Sequence, residues 1–324
     1  MTTTEAPSPG KPAFSRRRGA LAAGAALVAV LVGVGAVGAA HYLQNFWLYR
    51  GFPPPREASF VHQAGSAQEI LVASPALGGR KQAVDIYLPP GYAAHPAQRY
   101  PVMILLHGFP GRPAAFLQTV QMGVTEDALL AKHRIKPFIL VMPFGSTGTF
   151  TDKEWANGVG KGQAWETFVA RDVVRAVDAR YRTIRSGADR VLAGLSEGGY
   201  GSLNIGLHHP REFRVLESWS GYESAANLKS IFGGSRARLT ANSPLLTLAH
   251  AAPALRRAGA YVWLYSGTTD SFNTQNASFA AELARDRVPH SFRLVRGGHN
   301  WAIWRAEAAR SLLIASAHIG GKHA

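Results

Sequence analysis

The chain has no cysteine, which excludes a disulfide framework, a cysteine nucleophile and a thiolate metal site together. The compartment stays open, because an exported protein need not use disulfides. Acidic residues are scarce as well: 20 Asp and Glu face 35 Lys and Arg, for a formal charge of +15. Residues 1–18 hold Lys11, Arg16, Arg17, Arg18 and Glu5, so the rest keeps 31 basic and 19 acidic residues and remains strongly cationic. No basic run longer than Arg16 to Arg18 occurs, and no nucleic-acid motif accompanies it, so nucleic acid is not expected as a partner. An anionic membrane or cell envelope fits the excess better. Internal repeats are absent too, as are HExxH and comparable ligand spacings, so neither a metal nor another cofactor is expected. With 47% hydrophobic residues the chain is ample for a sizeable core, and disorder is excluded.

One long uncharged run is present. Gly19 to Ala40, GALAAGAALVAVLVGVGAVGAA, covers 22 residues, enough at 1.5 Å per residue to cross a hydrocarbon core of about 30 Å. Arg16 to Arg18 before it should stay in the cytoplasm, which puts the chain beyond Ala40 outside. His41, Tyr42, Phe46, Trp47 and Tyr49 then form an aromatic cluster of the kind found at a membrane interface, which favours a retained anchor. A cleaved signal peptide is the competing reading, with Ser15-Arg16-Arg17 as a partial twin-arginine pattern and Val37-x-Ala39 as a cleavage site. The same run contains Gly33-x-Gly35-x-x-Gly38, a match to the dinucleotide fingerprint. That fingerprint needs a strand before it and a polar-faced helix after it, and this uncharged stretch offers neither. Gly158 to Gly162 is no phosphate loop either, since no Ser or Thr follows Lys161.

Residues 51–60, GFPPPREASF, read as an extended, proline-rich spacer. Beyond them, eight strand-like runs alternate with amphipathic stretches: 70–74, 83–88, 102–108, 138–143, 190–196, 214–220, 261–267 and 291–298. The clearest helical stretch is 166–181, with Phe168, Val169, Val173, Val174 and Val177 on one face. Short apolar strands interleaved with helices predict an α/β fold, a mostly parallel sheet covered on both faces.

In such a sheet functional groups gather at the carboxyl ends of strands. Here VMILL ends in His107-Gly108-Phe109-Pro110-Gly111, RVLAGL ends at Ser196, YVWLYSG leads to Asp270, and SFRLVRGG ends at His299. Gly194-Leu195-Ser196-Glu197-Gly198 is a Gly-x-Ser-x-Gly pattern, weak by itself in a chain with 34 glycines. The chain order Ser196, Asp270, His299 strengthens it, because it is the order of the α/β-hydrolase triad. A serine hydroxyl needs a base, here His299, and the base needs a carboxylate on its other nitrogen, here Asp270. The oxyanion requires two backbone N–H groups, assigned to Glu197 and Phe109. Taken singly, Asp270 is equally well a helix N-cap and His299 an exposed loop histidine.

Lys81 to Gly111, ETFVARDVVRAVDARYRT, GLSEGGYGS and GGHNWAIWR together resemble the esterase family of α/β-hydrolases that includes S-formylglutathione hydrolases, feruloyl esterases, enterochelin esterases and mycolyltransferases. The resemblance runs over roughly residues 80–310. It implies an α/β-hydrolase fold over 61–324, after a basic cytoplasmic segment (1–18), an anchor or signal sequence (19–40) and an interfacial linker (41–60). It implies Ser196 as nucleophile, His299 as base and Asp270 as acid, with oxyanion donors at Phe109 and Glu197. His299-Asn300-Trp301 with Trp304 resembles the histidine–tryptophan segment of mycolyltransferases. Those enzymes usually carry Glu as the triad acid and a neutral residue after the serine, where this chain has Asp270 and Glu197. Trp155, Trp165 and Trp301 are candidate substrate-binding residues, with ordinary packing the competing reading. His208 and His209, adjacent on a helix, should face different ways and make a poor metal pair. The expected function is hydrolysis of a carboxylic ester outside the cytoplasmic membrane. Acyl transfer to an envelope sugar or lipid, and a catalytically inactive envelope-binding protein, are the alternatives.

Overall fold

The computed structural model describes residues 22–38, 53–148 and 151–320. Residues 22–38 form one helix, α1, in a unit (Met1–Gly51) separate from the unit that holds the sheet (Phe52–Ala324). Among the described residues no helix is long and apolar enough to cross a membrane. The ends of the uncharged run, 19–21 and 39–40, lie outside the described residues, as do 1–18 and the aromatic cluster at 41–49.

Each of the eight apolar runs overlaps a strand, with β1, β2 and β8 beginning before their runs: β1 (Ser66–Ser74), β2 (Arg80–Leu88), β3 (Val102–Leu106), β4 (Ile139–Pro143), β5 (Arg190–Leu195), β6 (Val215–Trp219), β7 (Tyr261–Gly267) and β8 (His290–Val295). They form one sheet in the order β1-β2-β4-β3-β5-β6-β7-β8. The strands from β4 to β8 run parallel to their neighbours, whereas β1–β2 and β2–β4 are antiparallel. Burial explains the division. Every residue of β3, β4, β5 and β6 is buried, as a sheet covered on both faces requires, while β1 at the edge is mostly exposed. Helices α2 (Ala114–Gln118) and α3 (Met122–Ala131) follow β3, and α4 (Trp165–Thr167) and α5 (Val174–Arg180) precede β5. α6 (Glu197–His208) follows β5, α7 (Lys229–Phe232), α8 (Arg236–Ala241) and α9 (Pro244–Ala258) separate β6 from β7, and α10 (Asn273–Arg285) and α11 (Trp301–His318) flank β8.

The stretch 166–181 is helical but not uniform: Phe168–Val173 makes a π turn between α4 and α5. A π turn stacks residues five apart, which lets Phe168, Val169, Val173 and Val174 all face the core.

Candidate active site

β5 is buried at every position and ends at Leu195, one residue before Ser196. Ser196 adopts φ 56° and ψ −120°, a left-handed conformation costly for a non-glycine residue, and α6 begins at the next residue. Two glycines permit this turn. A Cβ on Gly198 would lie 1.9 Å from the Leu106 carbonyl oxygen, and one on Gly194 would lie 2.2 Å from that of Gly198. The turn therefore presses against the end of β3, and the Ser196 N–H is held by the Trp219 carbonyl at 2.9 Å.

The base and the acid arrive on neighbouring loops after β8 and β7. These loops are stitched together: Thr268 N–H donates to Val295 O at 2.8 Å and Thr269 N–H to Gly297 O at 2.9 Å. His299 Nε2 lies 2.9 Å from Ser196 Oγ, and His299 Nδ1 lies 2.9 Å from Asp270 Oδ2. The imidazole side chain is 30% exposed, whereas the Asp270 carboxylate is fully covered. Burial raises the Asp270 carboxyl, but the hydrogen bonds from His299 and from the Phe272 N–H (2.9 Å) outweigh it and hold the carboxyl below its usual range. An ionised Asp270 accepts from Nδ1–H, which leaves Nε2 free to take the serine proton. Phe272 and Trp304 brace the ring edge-on at 5.5 and 5.1 Å.

The loop after β3 closes on the same serine. A Cβ on Gly108 would lie 3.0 Å from Ser196 Cβ, so the backbone leading to Phe109 runs beside the nucleophile. His107 holds the loop's base. Its Nδ1–H donates to Gly108 O at 2.9 Å and its Nε2 accepts the Gly145 N–H at 3.0 Å. Burial keeps the ring neutral by lowering its pKa to about 4. The backbone N–H groups assigned to the oxyanion, Glu197 at the start of α6 and Phe109 in this loop, thus lie on the two segments that flank Ser196.

Residues 74–313 match the Esterase family model, whose description is "Putative esterase". The chain belongs to this esterase family. A Mycobacterium tuberculosis protein named as an esterase is 27% identical over 259 residues, which cover 68% of this chain and 53% of that protein. An endo-1,4-beta-xylanase/feruloyl esterase of Xylanibacter ruminicola is 31% identical over 160 residues, 48% of this chain and 22% of that protein. The chain thus spans about half the length, or less, of these curated relatives. Among solved structures, a ferulic acid esterase superposes with a TM-score of 0.70 at 22% identity, over 79% of this chain and all of the other.

Three tryptophans in this esterase-family domain were candidate substrate contacts, and the structure separates them. Trp155 is fully buried, as the packing alternative has it. Its ring wedges between Gly145 and Gly201, where an added Cβ would come within 2.4 and 2.6 Å of it, and its Nε1–H donates to His107 O at 2.9 Å. Trp165 is also buried. It borders a cavity of about 400 Å³ with Asp152, Lys153, Gln163 and Ile231, whose lining includes no member of the Ser196–His299–Asp270 relay. Trp301 is buried at the first turn of α11 and packs edge-on against Trp304, so Trp304, not Trp301, touches the histidine. Two other acids that follow Asp270 in the chain, Glu282 and Asp286, lie on or at the end of α10, where Glu282 pairs with Arg285.

Other groups at the site have no signature in the sequence. Carboxylate oxygens of Asp152, Glu154 and Glu197 lie within 4.8 Å of one another, a donor set that could hold a cation only if all three ionised. Burial and the adjacent acids push the Glu154 carboxyl up to about 8 and that of Glu197 well above the usual range, so both keep their protons near neutrality. Glu223, fully buried near Asp270, is raised for the same two reasons. His208 and His209 do converge after all, on Glu166, at 3.0 Å each. The helix ends at His208 and His209 leaves helical geometry (φ −123°, ψ 56°), so the helical angle between adjacent side chains does not apply.

Proposed function

We propose that this chain is a serine carboxylic ester hydrolase that works outside the cytoplasmic membrane through an acyl-enzyme. The observation that carries the reading is the relay Ser196 Oγ–His299 Nε2 and His299 Nδ1–Asp270 Oδ2, each 2.9 Å, on a strained strand-to-helix turn. In the first half-reaction Ser196 Oγ attacks the ester carbonyl carbon as His299 Nε2 takes its proton. The oxyanion forms against the N–H groups of Glu197 and Phe109, each contributing about 3 kcal/mol. His299 then returns the proton to the leaving alcohol. In the second half-reaction His299 deprotonates the water that attacks the acyl-serine, then returns that proton to Ser196 Oγ as its bond to the acyl carbon breaks and the acid leaves. The solved ferulic acid esterase structure supports an ester substrate, and the exposed Phe109 with half-buried Phe272 and Tyr222 near the triad would suit an acyl group with apolar or aromatic surface.

The location rests on the uncharged run at 19–40 with Arg16 to Arg18 before it, which would hold residues 41–324 on the far side of the membrane, or release them after signal cleavage. A fluorophosphonate probe should label the wild type and not Ser196→Ala. Folded wild type that neither labels nor hydrolyses any of a panel of acyl and aryl esters would leave an envelope-binding role. Supplying sugar alcohols in competition with water on that panel separates hydrolysis from acyl transfer by product ratio.

A further inference from the structure

Resting on the hydrolase reading above, we propose that the buried side chain of Glu197, together with Glu154 and Tyr222, is a positioning group that locks the two halves of the oxyanion hole to each other. Glu197 supplies one donor through its backbone, but its side chain does something separate. It turns inward to a carboxyl cluster with Asp152 and Glu154, all three within 4.8 Å of one another. The first turn of α6 is thereby fastened to the 152–155 segment.

That segment is held in a conformation it would not adopt alone. Glu154 and Trp155 are consecutive non-glycine residues at φ 53° and 49°, in the left-handed region. The Glu154 N–H donates to Asp152 Oδ1 at 3.0 Å, and the Glu154 carboxyl accepts the Tyr222 hydroxyl. The turn fixes the direction of Trp155, whose Nε1–H reaches His107 O, and His107 in turn holds Gly108, the residue before the second oxyanion donor. A continuous path of contacts therefore joins the Glu197 N–H to the Phe109 N–H through Glu197, Glu154, Trp155 and His107. Tyr222 extends it toward the base: its ring lies 5.2 Å from Phe272, which lies 5.5 Å from His299.

The protonation state of the cluster matters to the chemistry. A carboxylate on the residue after the nucleophile would oppose the negative charge that develops on the oxyanion, whereas a neutral carboxyl does not. The groups facing the cluster are Asp152 and Lys153 from its own loop, Tyr222 after β6 and Tyr200 on α6, and Lys153 is turned to Gln163 Oε1 at 3.1 Å. Lys153, the basic residue of the cluster's own loop, is thus engaged away from the acids. Raising the pH through about 8 ionises Glu154 against the still neutral Glu197, which sets a charge near the oxyanion and breaks the neutral cluster.

The test measures kcat and KM for 4-nitrophenyl acetate from pH 6 to 9.5, with inhibition by an aryl boronic acid, for wild type, Glu197→Leu, Glu197→Gln and Glu154→Gln. Wild-type turnover and fluorophosphonate labelling establish the hydrolase reading first, and if both fail that reading and this one fall together. With turnover in hand, Glu197→Leu is expected to lower kcat about ten-fold or more, with KM within about two-fold and boronate affinity reduced in parallel. Glu197→Gln, which keeps a neutral polar side chain of nearly the same shape in the cluster, should recover part of that loss. Glu154→Gln should move the alkaline fall in kcat upward from pH 8. Glu197→Leu with wild-type kcat and boronate affinity, or Glu154→Gln with an unmoved alkaline limb, would overturn the proposal. Should Glu197→Leu not fold, the Glu154→Gln pH profile decides alone.

Discussion

Replacing Asp270 with Asn tests the relay at its best-defined point. The carboxylate is fully covered: Oδ1 accepts the Phe272 N–H, Oδ2 accepts His299 Nδ1–H, and the Ser220 hydroxyl lies beside it. An Asn side chain has one acceptor and one donor end in nearly the same volume. The backbone N–H of Phe272 can only donate, so the amide oxygen must face it, and the NH2 is then turned to His299 Nδ1. A donor there selects the tautomer with the proton on Nε2, which cannot take the proton of Ser196. The expected loss in kcat is about ten-thousand-fold, or about 5 kcal/mol of transition-state stabilisation, with folding retained because shape and one hydrogen bond are kept. The assay is turnover of an aryl ester at pH 7.5, with circular dichroism to confirm folding and Glu282→Gln and Asp286→Asn as controls. Activity of Asp270→Asn within ten-fold of wild type, or collapse in either control, would refute the reasoning.

Three further outcomes rest on the packing and charge of the molecule. Gly198→Ala would force a methyl group to within 1.9 Å of the Leu106 carbonyl, so the variant should lose several kcal/mol and be recovered insoluble or with a depressed Tm; a Tm equal to wild type would contradict the contact. Burial raises the Glu166 carboxyl, yet His208 and His209 outweigh it and hold it at about 2, while Glu166 and Ala241 O raise His208. The carboxylate's contribution, on the order of 3 kcal/mol, is present above the ordinary value of 4.5 and fades as pH falls toward 2. That of His208 is present below its ordinary value of 6.5 and fades as pH rises through the raised one, so Glu166→Gln should cost most Tm near pH 5 to 6 and less at pH 8.5; a pH-independent loss would argue against the pairing. Cell fractionation with N-terminal sequencing should find the intact chain in the membrane fraction, and a free chain beginning near His41 would replace the anchor by a cleaved signal.

The strands and the order of the triad were legible because each is a local or sequential property. A buried parallel strand is a short apolar run wherever it lies, and a residue just past its end is already near the functional edge of the sheet. The antiparallel entry of β2 was less visible, since its alternating burial runs only from Gln82 to Ile86. Trp155 illustrates what escapes such reading. Its loop position suggests a pocket wall, and only the three-dimensional approach of Gly145 and Gly201 reveals a buried wedge. The meeting of Glu166 with His208 and His209 spans more than 40 residues of chain and depends on where α6 ends, so helical spacing alone pointed the two histidines apart.

Glu197 shows why residue type and chemical state have to be kept separate. Read as a letter, it puts a negative charge beside the nucleophile, where mycolyltransferases of the resembled family usually carry a neutral residue. In the fold the side chain is 4% exposed and shares its surroundings with two other carboxyls, and both effects favour the protonated form. A protonated Glu197 presents no charge to the oxyanion, so the departure from a neutral residue is smaller in electrostatics than in sequence. The departure therefore does not separate hydrolysis from acyl transfer in this chain. Under the proposed acyl-enzyme mechanism that distinction would turn instead on which nucleophile, water or a larger alcohol, reaches the acyl-serine past Phe109, Tyr222 and Phe272.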